Sequence, residues 1–240
     1  VLPALDLKFG PDGQNAPDEV MERLENDKYY RYCTYAFIPF QYGSVILGAY
    51  LFTASDLSWL GFDGGLGWPA KSGLALSVGV LGGVGINTAH EMGHKKDSLE
   101  RWLAKITLAQ TGYGHFYIEH NRGHHVRVAT PEDPASSRMG ETFWEFLPRS
   151  VWGSLKSSWE LEAKRLERAG KSKWHWSNDV LNAWVMTVVL YGALIAVFGP
   201  ALIPFVVISA VFGFSLLEAV NYLEHYGLLR QKVANGRYER

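Results

Sequence analysis

The chain has 240 residues, and its 23 Lys and Arg against 24 Asp and Glu give a net charge of −1, so nothing in the balance points to a polyanion and no nucleic acid partner is expected. The lone cysteine, Cys33, excludes an internal disulfide and thiolate metal sites; any metal must be held by nitrogen or oxygen. A mean hydropathy of −0.05 suggests a soluble protein, but that average hides strong segregation along the chain. Residues 1–20, VLPALDLKFGPDGQNAPDEV, read as a loop punctuated by Pro and Gly, with no signal peptide. Four runs then follow without any Asp, Glu, Lys or Arg, at 32–55, 72–89, 180–198 and 201–217. Each approaches the roughly 20 apolar residues a helix needs to cross a bilayer, and we place spans at about 32–55, 72–92, 179–199 and 201–224.

The runs come in pairs. The first pair is joined by DLSWLGFDGGLGWPAK (56–71) and the second by Gly199 and Pro200, which predict a tight helical hairpin. The polar segment 93–178 between the pairs holds 14 of the 23 Lys and Arg, whereas 56–71 has only Lys71. The positive-inside rule therefore puts 93–178 in the cytoplasm. Tyr29, Tyr30, Trp59, Trp68, Trp174 and Trp176 fall at run ends, where an aromatic belt would lie. The expected fold is all-α: a polytopic integral membrane protein with four transmembrane helices and a helical cytoplasmic segment. The alternative is a large soluble protein with buried helices. No internal repeat or low-complexity tract is visible.

The histidines carry the chemistry. The second run passes directly into HEMGH, so His90 and His94 stand four apart on one helix face, a spacing that suits joint ligation of one metal. In YIEHNRGHHVRVATPEDP, a helix would repeat that geometry at His120 and His124 and turn His125 about 100° away, towards a second metal. Gly123 would allow close approach of a partner. His225, with Glu218 and Glu224 nearby, sits at the end of the last run. Six histidines thus gather at one membrane face. His115 reads as a packed or hydrogen-bonded residue, and His175, among aromatics and cations in KSKWHWSND, as interfacial.

An all-imidazole site suits iron, copper or zinc. HExxH alone is the pattern of a zinc peptidase, with Glu91 as general base, but such a site needs one further ligand and has no use for the other histidines. More than four ligands imply at least two metals, which favours redox chemistry with oxygen.

The stretches NTAHEMGHKK, GYGHFYIEHNRGHHVRVATPEDPASSRMGE and NYLEHYGLLRQ closely resemble the signatures of the bacterial membrane-bound alkane hydroxylases, a branch of the fatty acid desaturase and hydroxylase superfamily. The similarity runs from the Asp6–Pro17 region to Gln231. It implies a six-helix membrane bundle in the bacterial inner membrane and a non-haem diiron centre, two iron ions, on the cytoplasmic side. The implied reaction is terminal hydroxylation of n-alkanes to 1-alkanols with dioxygen, with electrons from rubredoxin and an NADH-dependent rubredoxin reductase. Carried over to this sequence, the iron ligands are His90, His94, His120, His124, His125 and His225, and Glu91, Asp133 and Glu224 stand behind them. Asp133 reads equally well as a turn residue between Pro131 and Pro134. The family's third histidine box and two preceding spans are not in this sequence, which is therefore expected to be a portion of a longer enzyme. Phe37, Phe40, Leu47, Trp184, Leu190, Phe205, Phe212 and Leu216 are candidate walls of an apolar substrate channel, although such residues mostly pack or face lipid. Basic residues of 93–178 offer a docking face for an acidic rubredoxin. A desaturase or hydroxylase acting on fatty acids is the nearest competitor, and a metal transporter would need ionisable groups mid-span.

Overall fold

The computed structural model describes residues 7–8, 10, 17–25, 27–95, 97–234 and 236–239, so most of the N-terminal stretch expected to be a loop lies outside the described residues. Residues 1–36 and 37–240 form two compact units. The first holds α1 (Asp18–Glu25) and the start of α2 (Lys28–Thr53), where Tyr29 meets Tyr30 edge to face at 5.4 Å. The second contains every histidine of the chain.

The described residues are overwhelmingly helical, with one isolated antiparallel bridge between Lys232 and Tyr238. Among the described residues, four helices are long and apolar enough to cross a membrane: Lys28–Thr53, Trp68–Gly93, Asp179–Phe198 and Pro200–His225. The second of these, α3 (Trp68–Gly93), begins earlier than its charge-free run because Pro69 suits the first turn and Gly67 caps it. α8 (Asp179–Phe198) and α9 (Ile203–His225) are joined through Gly199 at φ 83° and a short 3₁₀ turn, Pro200–Leu202, the expected hairpin.

The spans pack through small residues. A Cβ on Gly79 of α3 would lie 2.9 Å from the Ser209 carbonyl of α9, and one on Gly213 would lie 3.0 Å from the Gly79 carbonyl. These backbones touch, as membrane helices do where apolar bulk offers no driving force over lipid. Phe52, Ala75, Val78, Leu202 and Phe205 fill the core beside them, with the Phe52 and Phe205 rings 5.5 Å apart. Outward, α8 shows Val185, Val188, Val189 and Val197, all more than half exposed. A valine face of that kind is a cost in water and ordinary against lipid, which counts against the soluble alternative. Trp59, Trp68, Trp174 and Trp176 are likewise exposed.

The polar segment is not a separate layer. α4 (Ser98–Leu108), started by the Asp97 side chain accepting from Leu99 N–H, packs back along α3 and continues as a 3₁₀ turn, Ala109–Thr111. There the Tyr42 hydroxyl donates to the Ile106 carbonyl at 2.7 Å and the Tyr191 hydroxyl to the Gln110 carbonyl at 2.6 Å. Gly112, at φ 64°, reverses the chain, which returns as α5 (Phe116–Glu119), a π turn (His120–His124) and α6 (His125–Arg127). Sequence spacing alone did not foresee this re-entry among the spans. Backbone can lie at that depth because neighbouring hydroxyls satisfy it. Behind the returning chain stands α7 (Phe143–Arg168), opened by a Thr142–Glu145 capping box. Its buried stripe, Phe146, Ser150, Ser154, Ser158, Glu162 and Leu166, recurs every fourth residue and is largely polar.

Candidate metal centre

His90 and His94 occupy the last turn of α3 and its cap, with their Nε2 atoms 2.8 Å apart. The returning chain sets His120 against His90, ring centroids 4.4 Å apart, and His125 against His94 at 5.0 Å. His90, His94, His120 and His125 each offer a ligand nitrogen, and the four lie within 4.8 Å of one another. His124 turns the other way, to His225 at the end of α9, with centroids 4.8 Å apart. His120 and His124 still face each other at 5.3 Å, so the two groups adjoin.

This grouping differs from the one that α-helical spacing predicts, in which His120 pairs with His124 and His125 stands apart. The reason is the π turn: His125 N–H reaches the His120 carbonyl, five residues back, and the extra residue rotates everything after it. Gly123 leaves room for the Glu119–Arg127 pair, since a Cβ there would come within 2.6 Å of Arg127 Nη2 and collide with the Glu119 carboxylate. Arg127 donates to Glu119 Oε1 at 2.7 Å and to Ser157 Oγ of α7 at 2.6 Å. Burial pushes the Glu119 carboxyl up to about 7, although Ser157 and Arg127 pull it down.

Asp133 lies in the loop after α6. Burial alone would raise its carboxyl, but bonds from His124, Ser136 and the Ala135 N–H outweigh that and hold it below the usual range. An ionised carboxylate only accepts, so His124 must carry its proton on Nδ1, 2.9 Å from Asp133 Oδ2. Ser136 Oγ donates to the same oxygen at 2.6 Å and accepts from Ala129 N–H at 2.8 Å, holding Ala129 at φ 58°, a left-handed conformation rare outside glycine. Ser137 Oγ donates to the Tyr222 carbonyl at 2.7 Å, tying this loop to α9 beside His225. His225 Nδ1 donates to the Asn221 carbonyl at 2.9 Å. Both His124 and His225 are thereby left with Nε2 as the free lone pair.

The donor set fits a metal. His120 Nε2 is buried without a hydrogen-bond partner among the other imidazoles, a cost that coordination would remove. Burial first, then the crowd of His90, His124, His125 and His94, pushes His120 down to about 2, so the ring is neutral and keeps a free lone pair at ordinary pH.

Glu91 is 62% exposed, with Oε1 3.6 Å from His90 Nδ1, and Glu224 is exposed. Glu218 is buried and accepts from the Tyr113 hydroxyl at 2.7 Å. His115 is buried against Tyr113, and His175 bonds Ser177 away from the cluster. Of the channel candidates, Phe212 and Leu216 line an apolar cleft of ≈470 Å³ between α3, α7 and α9, while Phe205 is core, Trp184 stacks on Trp159, and Phe40 and Leu47 are exposed. Glu119, Arg127 and Ser136 were missed in the sequence. The adjacency of Glu119 to His120 and the Ser-Ser pair after Asp133 were the available signals.

The model of the fatty acid desaturase family matches residues 66–240. An alkane 1-monooxygenase of Pseudomonas putida is 48% identical over 239 residues, covering all of this chain and 57% of that protein. Alkane 1-monooxygenase 1 of Alcanivorax borkumensis is 46% identical over 239 residues, with the same coverage. The xylene/toluene monooxygenase hydroxylase component of Pseudomonas putida is 31% identical over 160 residues, 66% of this chain and 43% of that protein. The chain thus spans 57% of the length of the alkane monooxygenases it matches.

Proposed function

The chain belongs to the fatty acid desaturase family, and from that premise we propose that its protein is an alkane 1-monooxygenase, hydroxylating the terminal methyl of n-alkanes with dioxygen. The observation that carries this reading is the fusion of His90, His94, His120 and His125 with the His124–His225 pair at the ends of α3 and α9. Six imidazoles exceed the ligand demand of a single zinc and suit two iron ions. The same feature weighs against a peptidase, in which Glu91 would have to face a water on a three-ligand metal; here it points outwards.

In this reading His90, His94, His120, His124, His125 and His225 hold the metals, which when bound supply dioxygen activation. The chain's own residues prepare the site. Asp133 fixes the tautomer of His124 through Nδ1, and the Asn221 carbonyl does so for His225, so that both Nε2 lone pairs face inwards. Arg127 neutralises Glu119 beneath the π turn. The cleft lined by Phe212, Leu216 and Leu147 presents an apolar wall to a hydrocarbon and excludes water from its side. Ala219, at its upper end, is six residues before His225, about 9 Å along α9. A chain lying there reaches the centre end first, which favours a terminal methyl over weaker internal C–H bonds. Electrons come from rubredoxin, docked on the basic face of 93–178, which is assigned to the cytoplasmic side of the inner membrane.

The test is elemental analysis of the detergent-purified protein with and without His124→Ala, followed by dodecane oxidation with rubredoxin and its reductase. Two irons per chain, falling sharply in the variant together with 1-dodecanol formation, is the expected result. One zinc, indifferent to His124, would overturn it.

A further inference from the structure

Beside the histidine centre lies a polar cavity, of ≈260 Å³, walled by Arg101, Lys105, Arg122, Arg165, Tyr117 and Asp179. Its charges are not balanced. Lys105, 4% exposed, is 3.0 Å from Asp179 Oδ1 and lies 3.7 Å over the Trp102 ring. Arg122 reaches Asp179 Oδ2 at 3.6 Å and also bonds Glu162, which is fully buried at the base and accepts from Arg165 Nε at 2.7 Å. Arg101 has no ion pair among the described residues. Four cations thus face two carboxylates, leaving two positive charges in a recess with room for a phosphate group and more.

The recess stands where the spans end. Asp179 is the first residue of α8, whose next turns are apolar, and Leu99 and Trp102 of α4 are 55% and 46% exposed beside it. We propose that this recess binds the phosphodiester headgroup of an anionic phospholipid, with the lipid's acyl chains passing the exposed Leu99 and Trp102. A basic recess between spans at the bilayer boundary is the setting in which anionic headgroups are held, each cation contributing. A protein surface would have to send a narrow acidic projection into it. Because Arg122 stands between His120 and His124, an occupied recess braces the turn that carries them. Headgroup binding here requires none of the oxidation chemistry.

The experiment is native mass spectrometry of the detergent-purified protein titrated with dioctanoyl phosphatidylglycerol, dioctanoyl phosphatidylcholine or inorganic phosphate, for the wild type and Arg101→Gln. The expected result is one tight phosphatidylglycerol per chain, little phosphatidylcholine, and an affinity about five-fold lower in R101Q. Arg101 is exposed and unpaired, so the variant should fold; its melting temperature is the check, and Arg101→Lys should restore binding. Equal binding of the two lipids, or an unchanged affinity in R101Q, overturns the proposal. Competition by inorganic phosphate at the lipid's own concentration would make a free anion the ligand and also overturns it. So would R101Q weakening an acidic electron carrier while leaving lipid untouched.

Discussion

Replacing Asp133 by Asn separates a residue that tunes a metal ligand from one that merely shapes a turn. Asp133 is 2% exposed and receives three donors: Ser136 Oγ at 2.6 Å, His124 Nδ1 at 2.9 Å and Ala135 N–H at 3.2 Å. Asn keeps the volume but offers one acceptor oxygen and a competing NH₂, so one of the three donors loses its partner. Hydrogen bonds to a charged group contribute about 1.5–3 kcal/mol each, and a loss of about 2 kcal/mol in stability follows. His124 is also released from its tautomer. Outer groups of this kind change metal affinity by about 10- to 100-fold, equivalent to about 1.4–2.8 kcal/mol, the same size as the lost bond. The assay is retained iron after dialysis against chelators of graded strength, run beside thermal unfolding of the metal-free protein. D133N that melts lower yet holds iron as tightly as wild type would refute the argument and leave Asp133 a turn residue.

Other perturbations probe the frame. Glu162→Gln removes the charge and one of the two acceptor oxygens that Arg122, Arg165 and the Asp179 N–H share; because both arginines are more than a third exposed, the loss is discounted to about 1–3 kcal/mol, read in thermal unfolding. Gly79→Ala forces a methyl to 2.9 Å from the Ser209 carbonyl and should cost about 1–3 kcal/mol, whereas Gly43→Ala, with open space around it, should not destabilise. Burial holds His115 down at about 4 against an ordinary 6.5, so the unfolded chain binds the extra proton between those values. Stability therefore falls as pH drops from 6.5 towards 4, by up to about 3 kcal/mol, and His115→Asn should flatten that slope in denaturant titrations. Leu216→Ala widens the cleft beside Phe212 and should shift oxidation towards longer or bulkier alkanes, measured as product ratios in mixed-substrate assays.

The spans were legible because charge is excluded from hydrocarbon, so runs such as 180–198 announce themselves by what they lack. The six histidines were legible too, since HxxxH places two rings on one face without help from the rest of the chain. Their partition was not. It depends on a single extra residue of backbone at His120–His124, which no periodicity of side chains encodes. The return of Ser98–Arg127 among the spans was equally hidden, because α4 reads as an ordinary amphipathic helix and the hydroxyls that receive its end, Tyr42 and Tyr191, lie 64 and 81 residues away. Arg122 and Glu162, 40 residues apart, look in sequence like solvated charges on separate helices.

The π turn also bears on what kinds of sequence change this protein can survive. Between His120 and His125 the chain is one residue longer than an α-helical ladder would need. Were the segment to close as an α-helical ladder at its present length, every later residue would turn by about 100°. His125 would leave His90 and His94, and His124 would lose Asp133. The histidines of HNRGHH therefore form the site only while the π turn persists: the same residues on a regular helix of that length would lose it.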